Sequence, residues 1–298
     1  MKHVLISAAL VMSAAAYAGS LPDNALADKI EGIVKNKKAD VGVAVLGIEN
    51  DYSFSVNGLK AYPMQSVYKF HIVLAVLNDI DQGKFPLDKK IFLNKKELLP
   101  DTWSPLRDKY PDGNVSVPLS EIIEATISQS DNNGCDILLR LAGGPSAVKG
   151  FLSKKGIDGF DIKASEEESH RDWETQFTNK STPLSAANLL KAFYTGKIVS
   201  EKSSAYLWNI LVSTKTGGGR LKGQLPKNTV VAHKTGTSAT NKNGITAAIN
   251  DIGIVELPNG THYAIAVFVA NSAETVPANE KIISDVSKAV WESLTGGR

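Results

Sequence analysis

Ser66 and Lys69 stand three residues apart where an apolar run, Phe70 to Leu77, begins in a chain of 298 residues. The run is too continuously apolar for a surface element, so it predicts a buried helix over about 66–81. Three residues apart on a helix means one shared face. A hydroxyl beside an amine is nucleophile geometry, because the amine can take the proton once burial or nearby cations depress its pKa. The unpaired amides and the dipole at a helix start also favour an anion developing on a substrate. The plainer reading is a capping serine followed by an ordinary lysine, and Ser146 and Lys149 repeat the spacing elsewhere in the chain.

Two further patterns change that balance. Ser130-Asp131-Asn132 precedes another helical stretch, and Lys234-Thr235-Gly236-Thr237 lies in a run of period two. Brought together, they would surround the nucleophile with a second hydroxyl, an amide and a second ammonium. Lys215-Thr216-Gly217 spells the third pattern again, but it leads into Gly218 and Gly219, a flexible setting. Lys234 is therefore the favoured lysine.

The elements that must position these residues fall into three blocks. A short helix is expected at 25–36, then a β-branched strand at 40–48 turning into a hairpin partner at 52–56. From 66 to about 210 the pattern is mostly helical, with helices at 119–128, 132–141, 146–154, around 185–190 and at 203–211. Within it, 156–183 reads as a long loop, polar and irregular from 166, and loops of that length are often functional. Strands follow at 229–237, 247–257 and 263–270, with a tight turn at Pro258-Asn259-Gly260 making the last two antiparallel, and a helix closes the chain at 279–291. Strands at both ends with helices between predict an α/β (α+β) fold: an antiparallel sheet assembled from both chain ends, flanked by helices, with an all-helical insert. The expected division is 19–62 with 213–298 as the sheet domain and 63–212 as the helical domain, with the site in the cleft between them.

Composition excludes several classes of function. At 43% hydrophobic and 21% charged the chain is ordinary globular protein, and a net charge of +2 leaves no electrostatic footprint for nucleic acid or an anionic membrane. Residues 1–18, with Lys2, an apolar stretch and Ala16-Tyr17-Ala18, read as a secretory signal peptide, which predicts a periplasmic protein without stable membrane association. Cys135 is alone, so no internal disulfide can form, and its neighbours Ile137 to Leu139 suggest a buried helix position. The five histidines are dispersed with no ligand spacing, so neither metal nor cofactor is expected.

Taken in order, the three patterns resemble those of the class A serine β-lactamases and penicillin-binding proteins. Longer stretches, Met64-Gln65-Ser66-Val67, Leu99 to Pro105, Ser130 to Asp136 and Arg220 to Asn228, are similar to the extended-spectrum class A branch that holds the PER and VEB enzymes. The resemblance covers essentially the mature length. It implies the β-lactamase/transpeptidase-like fold and a monomer hydrolysing small β-lactams, oxyimino-cephalosporins included, through an acyl-enzyme, and so conferring antibiotic resistance.

The resemblance assigns Ser66 as nucleophile, the amides of Ser66 and Thr237 as oxyanion hole, and Ser130 as proton donor to the leaving nitrogen, helped by Lys234. Asn132 would hold the substrate's side-chain amide and Lys69. Arg220, with Lys234 and Thr235, would bind the substrate carboxylate, while Gly236, Thr237 and Ser238 line that edge. Lys69 directly, or Glu166 through water, could deprotonate Ser66. Glu166 is the expected base for deacylation among four loop glutamates, Glu166, Glu167, Glu168 and Glu174, with His170 as second holder of the water. The common family pattern has an asparagine where His170 stands. Ala164 and Asn179 occupy the positions of a common arginine–aspartate clamp, and Asp136 replaces a usual asparagine, so a rearranged loop and a roomier cleft are expected. The rivals are a penicillin-binding DD-peptidase, which lacks the loop base, and a noncatalytic periplasmic binding protein.

Overall fold

The computed structural model describes residues 24–296; the expected signal peptide and its cleavage site lie outside the described residues. Helix α1 (Asn24–Val34) leads into a hairpin of β1 (Asp40–Gly47) and β2 (Ser53–Val56). The short strand β3 (Tyr62–Pro63) delivers the chain to a single 3-10 turn, Gln65–Val67, and then to helix α2 (Tyr68–Asp81). Strands β4 (Lys90–Leu93) and β5 (Val115–Pro118) pair as a hairpin, with helix α3 (Pro105–Lys109) between them in the chain. Helices α4 (Leu119–Ser128), α5 (Asn132–Leu141) and α6 (Pro145–Lys154) follow. The long connection carries β6 (Phe160–Asp161), helix α7 (Glu166–Arg171) and β7 (Lys180–Ser181), after which come α8 (Pro183–Tyr194) and α9 (Glu201–Val212). Strands β8 (Val231–Thr237), β9 (Thr246–Glu256) and β10 (His262–Ser272) and helix α10 (Val276–Thr295) complete the described chain.

The main sheet runs β2-β1-β10-β9-β8, antiparallel throughout, with Asp40 of β1 facing Ala270 of β10. Alternation sorts its side chains into two cores. Val43, Val45, Ile265 and Val267 pack with Leu26 and Ile30 of α1 and Ile282 and Val286 of α10. Ala44, Leu46, Ala264 and Phe268 face the other way, into the helices. Because both faces are covered, β1 and β10 read as near-continuous apolar runs rather than as alternating ones.

Helix α2 is buried from Tyr68 to Leu77 and packs against α4, α5, α6 and α9. Each fully buried Ile, Val, Leu or Phe contributes about 1.5–3 kcal/mol. Six such residues between Phe70 and Leu77 offset the cost of carrying Lys69 and His71 inside. Cys135 is buried on α5, as expected, 3.5 Å from the Tyr68 hydroxyl. Among the described residues no helix is long and apolar enough to cross a membrane.

Three local features depart from the sequence reading. The regular part of the expected 66–81 helix starts at Tyr68, because Gln65 takes φ +48° and the chain first makes the tight 3-10 turn that carries Ser66. The stretch after 165, expected to be irregular, forms α7, nucleated by reciprocal hydrogen bonds between Ser165 and Glu168. The β4–β5 hairpin and α3 had no counterpart in the expected element list.

Candidate active site

A cavity of about 620 Å3 opens between the 3-10 turn, the α4–α5 junction, the α7 segment and the end of β8. Ser66, Ser130, Asn132, Glu166 and His170 line it from one side, and Thr235, Thr237 and Ser238 from the other. What brings the turn and β8 together is Gly236. A Cβ at that position would sit 2.4 Å from the Met64 carbonyl oxygen and 3.1 Å from the Gln65 Cβ. β8 is also the free edge of the sheet. The Ser238 N–H donates to Ala248 on β9 at 2.9 Å, and since successive peptides in an antiparallel ladder alternate sides, the Thr237 N–H faces off that free edge toward the turn. The Ser66 N–H belongs to the first turn of its 3-10 segment, where an amide lacks an intrahelical partner.

Behind Ser66 the Lys69 ammonium is fully buried among three acceptors. It donates to the Ser130 carbonyl at 2.8 Å and to Asn132 Oδ1, and lies 3.1 Å from Glu166 Oε1. That Glu166 oxygen is itself buried and takes no well-aligned hydrogen bond, so the contact is ionic and leaves a lone pair available. Ser130 occupies the left-handed region at φ +61°, which lets its carbonyl reach Lys69 while its hydroxyl accepts from Lys234 Nζ at 3.0 Å. The buried Asp131 carboxylate sustains this bend by accepting from the Gly134 and Leu106 amides and the Ser104 hydroxyl.

The loop carboxylates separate by partner. Glu168 is committed to the α7 cap, Glu167 pairs with Arg171 on the exposed side, and Glu174 precedes a 3-10 turn, leaving Glu166 as the one that meets Lys69. Asp136 fixes its direction from beneath: Oδ1 accepts the Glu166 N–H at 2.7 Å and Oδ2 the Glu167 N–H at 2.9 Å. Burial pushes the Asp136 carboxyl up to about 6, against those two hydrogen bonds. The neck of the loop is closed without an ion pair. Asn179 Oδ1 accepts from the Lys163 and Ala164 amides and its Nδ2 donates to the Ala164 carbonyl, so a neutral amide clasps the backbone. His170 is exposed on the cavity side, with Nδ1 3.2 Å from the Glu166 carbonyl oxygen. A carbonyl can only accept, so Nδ1 carries the proton and Nε2 is left as an acceptor.

On β8, Lys234 is buried, bonded to Ser130 Oγ and to the Thr235 carbonyl at 2.9 Å. Burial and then the Lys69 charge push its ammonium pKa well below the usual range, with Asp251 and Glu166 pulling the other way. Lys215, in the other Lys-Thr-Gly triplet, is exposed.

Arg220 stands beside Lys234 and Thr235, the neighbours expected of it. Its guanidinium lies behind β8, only 4% exposed, donating to Glu280 Oε1, to the Gly236 and Asn250 carbonyls and to Thr237 Oγ1 at 2.8–3.0 Å. It meets the cavity edge through its bond to Thr237, which lines the wall. Ser238 Oγ accepts the Ala248 N–H and pins the strand end.

Several residues had not been singled out for a role. Thr102 Oγ1 accepts from Asn132 Nδ2 at 2.7 Å, and Trp103, 63% exposed at the rim, is held in place by its indole N–H on the Gln129 carbonyl. Gln65 donates to Gln176, tying the turn that carries Ser66 to the loop, and Thr216 lines the wall beside Thr235. Among the described residues no group of three or more His, Cys, Asp or Glu is arranged to hold a metal ion.

Comparison with known proteins agrees with this geometry. A model of the β-lactamase enzyme family matches residues 25–294. The chain is 46% identical to β-lactamase VEB-1 of Pseudomonas aeruginosa over 97% of both chains, and 41% identical to the extended-spectrum β-lactamase PER-1 of the same organism over 97% of this chain and 94% of that one. The crystal structure of the TLA-1 extended-spectrum β-lactamase superposes with a TM-score of 0.90 at 56% identity, covering 91% of this chain and 98% of that one.

Proposed function

Because the chain belongs to the β-lactamase enzyme family, in its class A serine branch, we propose that it opens the amide of β-lactam antibiotics in two steps, with Ser66 as nucleophile and Glu166 as the base of the second. β-Lactam hydrolysis is its activity and antibiotic resistance the consequence. In acylation Ser66 Oγ forms a bond to the lactam carbonyl carbon. Its proton goes to the Lys69 amine, once that group has handed one to Glu166 at 3.1 Å, or to Glu166 through a water. The oxyanion rests between the Ser66 and Thr237 amides, each such donor being worth about 3 kcal/mol. As the C–N bond breaks, Ser130 gives its proton to the nitrogen and is reprotonated through Lys69 with the proton Glu166 had taken, which leaves Glu166 a carboxylate again. Ser130 Oγ accepts from Lys234, so its own O–H is free to turn into the cavity.

In deacylation Glu166 takes a proton from water, the hydroxyl attacks the ester carbon, and Ser66 leaves as the restored alcohol, the proton on Glu166 returning to it by way of Lys69. The attacking water sits between Glu166 and His170 Nε2. Asn132 turns its Nδ2 from Thr102 to the amide of the substrate side chain. The observation that carries this reading is the contact of Glu166, alone among the loop glutamates, with the buried Lys69. The test is nitrocefin turnover combined with intact-mass detection for wild type and Glu166→Ala. Turnover in the wild type and an accumulating adduct in the variant are expected; equal, fast turnover in both would remove Glu166 from the role, and a wild type that stays acylated would place the chain with the DD-peptidases.

The substrate range extends to oxyimino-cephalosporins. Support comes from the 620 Å3 cavity and from a loop neck closed by Asn179 on backbone instead of by a charged clamp. Near-complete rejection of ceftazidime relative to cephalothin, measured as kcat/KM, would sink the broad range and leave the reaction intact. The protein works after export to the periplasm, directed by residues 1–18.

A further inference from the structure

Thr216 belongs to the repeated Lys-Thr-Gly triplet that the proposed chemistry does not use, yet the fold sets it in the cavity wall. Its Oγ1 is 2.6 Å from Thr235 Oγ1. The arrangement is built rather than incidental. Thr214 Oγ1 donates to the His233 carbonyl at 3.0 Å and the Lys215 N–H to the Ser128 carbonyl at 3.0 Å, fastening the segment to β8 and to the end of α4. Gly217 adopts φ +68°, and a Cβ there would lie 2.4 Å from Thr235 Cγ2, so only glycine lets the segment close on the strand.

The cations nearby stand behind the wall. Lys234 is bonded to Ser130 Oγ and the Thr235 carbonyl, and Arg220 spends its donors on Glu280, two carbonyls and Thr237 Oγ1. Both side chains are almost fully buried, so an anion in the cavity meets hydroxyls first. Two hydroxyls carry two protons. Bonded to each other, Thr216 and Thr235 use one of them internally. An incoming carboxylate that accepts from both exchanges one neutral hydrogen bond for two charge-assisted ones, which are roughly twice as strong.

We propose that Thr216 is a substrate-contacting residue, its hydroxyl and that of Thr235 forming a paired clamp for the carboxylate beside the lactam nitrogen, with Arg220 acting as a positioning residue through Thr237. The proposal rests on the β-lactamase reading given above.

The test compares a free-acid cephalosporin with its methyl ester, for wild type, Thr216→Val, Thr216→Ala and Thr216→Ser. The ratio of the two kcat/KM values does not depend on the active fraction of a preparation. Thr216→Val and Thr216→Ala are expected to lower kcat/KM for the acid about tenfold, chiefly through KM, as loss of a hydrogen bond to a charged group implies. The ester should be unaffected, and Thr216→Ser should restore the acid. Equal losses for acid and ester, or no loss for the acid, would overturn the clamp. A wild type that turns over neither compound would overturn the β-lactamase reading itself.

Discussion

Replacing His71 by phenylalanine and Asp136 by asparagine, one at a time, isolates two buried groups whose effects oppose each other. His71 is fully buried on α2 between Phe70 and Phe160, and neither ring nitrogen makes a well-aligned hydrogen bond. Burial lowers its pKa from 6.5 to about 4, the Val67 carbonyl one turn back pulling weakly the other way. Stability from the neutral ring is therefore present above pH 6.5 and lost as pH falls through about 4, a change of about 3 kcal/mol at 1.36 kcal/mol per pKa unit. Asp136 runs in the other direction. Its folded pKa is raised from 3.8 to about 6, so its contribution is present below pH 3.8 and lost as pH rises through about 6, again about 3 kcal/mol. In the wild type the two nearly cancel between pH 4 and 6. Urea unfolding at pH 4 to 7, plotted as each variant minus wild type, removes every other titrating group from view. Relative to wild type, His71→Phe should gain about 3 kcal/mol on going from pH 7 to pH 4, and Asp136→Asn should lose about as much. A flat His71→Phe difference curve would refute the reasoning, because the imidazole would then have to be protonating inside the fold at little cost.

Asn179→Ala removes three hydrogen bonds at the loop neck and leaves buried backbone groups of 163 and 164 unpaired, so a loss of about 3 kcal/mol is expected, with faster proteolysis within 163–179. Thermal unfolding and limited proteolysis check it, and an unchanged cleavage rate would show that β6–β7 pairing alone closes the loop. Gly236→Ala must push β8 from the Met64 carbonyl by the better part of an ångström, which should cut kcat by roughly a hundredfold while the melting temperature moves little. Steady-state kinetics with nitrocefin would read this, and near-normal kcat would mean that Thr237 is not where the oxyanion is held.

The sequence made the sheet legible because both its faces are covered: β1 and β10 appear as long apolar runs that no surface helix would carry. The nucleophile's element was legible for the same reason. Helix α7 was not, since Glu166 to Arg171 has no apolar face, although Ser165 followed by Glu168 is a capping-box signature that would have marked its start. Which of four glutamates meets Lys69 was a question of direction, and direction is set by Asp136 from another helix. Arg220 shows the limit most clearly. Residue type and neighbourhood suit a substrate carboxylate, but its bonds to Glu280, to the Gly236 and Asn250 carbonyls and to Thr237 join positions far apart in the chain and could not be read from it.

Pairing of β1 with β10 has a temporal consequence. A ribosome releases Ser66 long before it releases Thr237, and the central strand that bridges the two ends, β10, is made later still. Such far-apart pairings form slowly. Until those last strands have arrived, a partly made chain holds Ser66 with no wall opposite it and stays chemically silent.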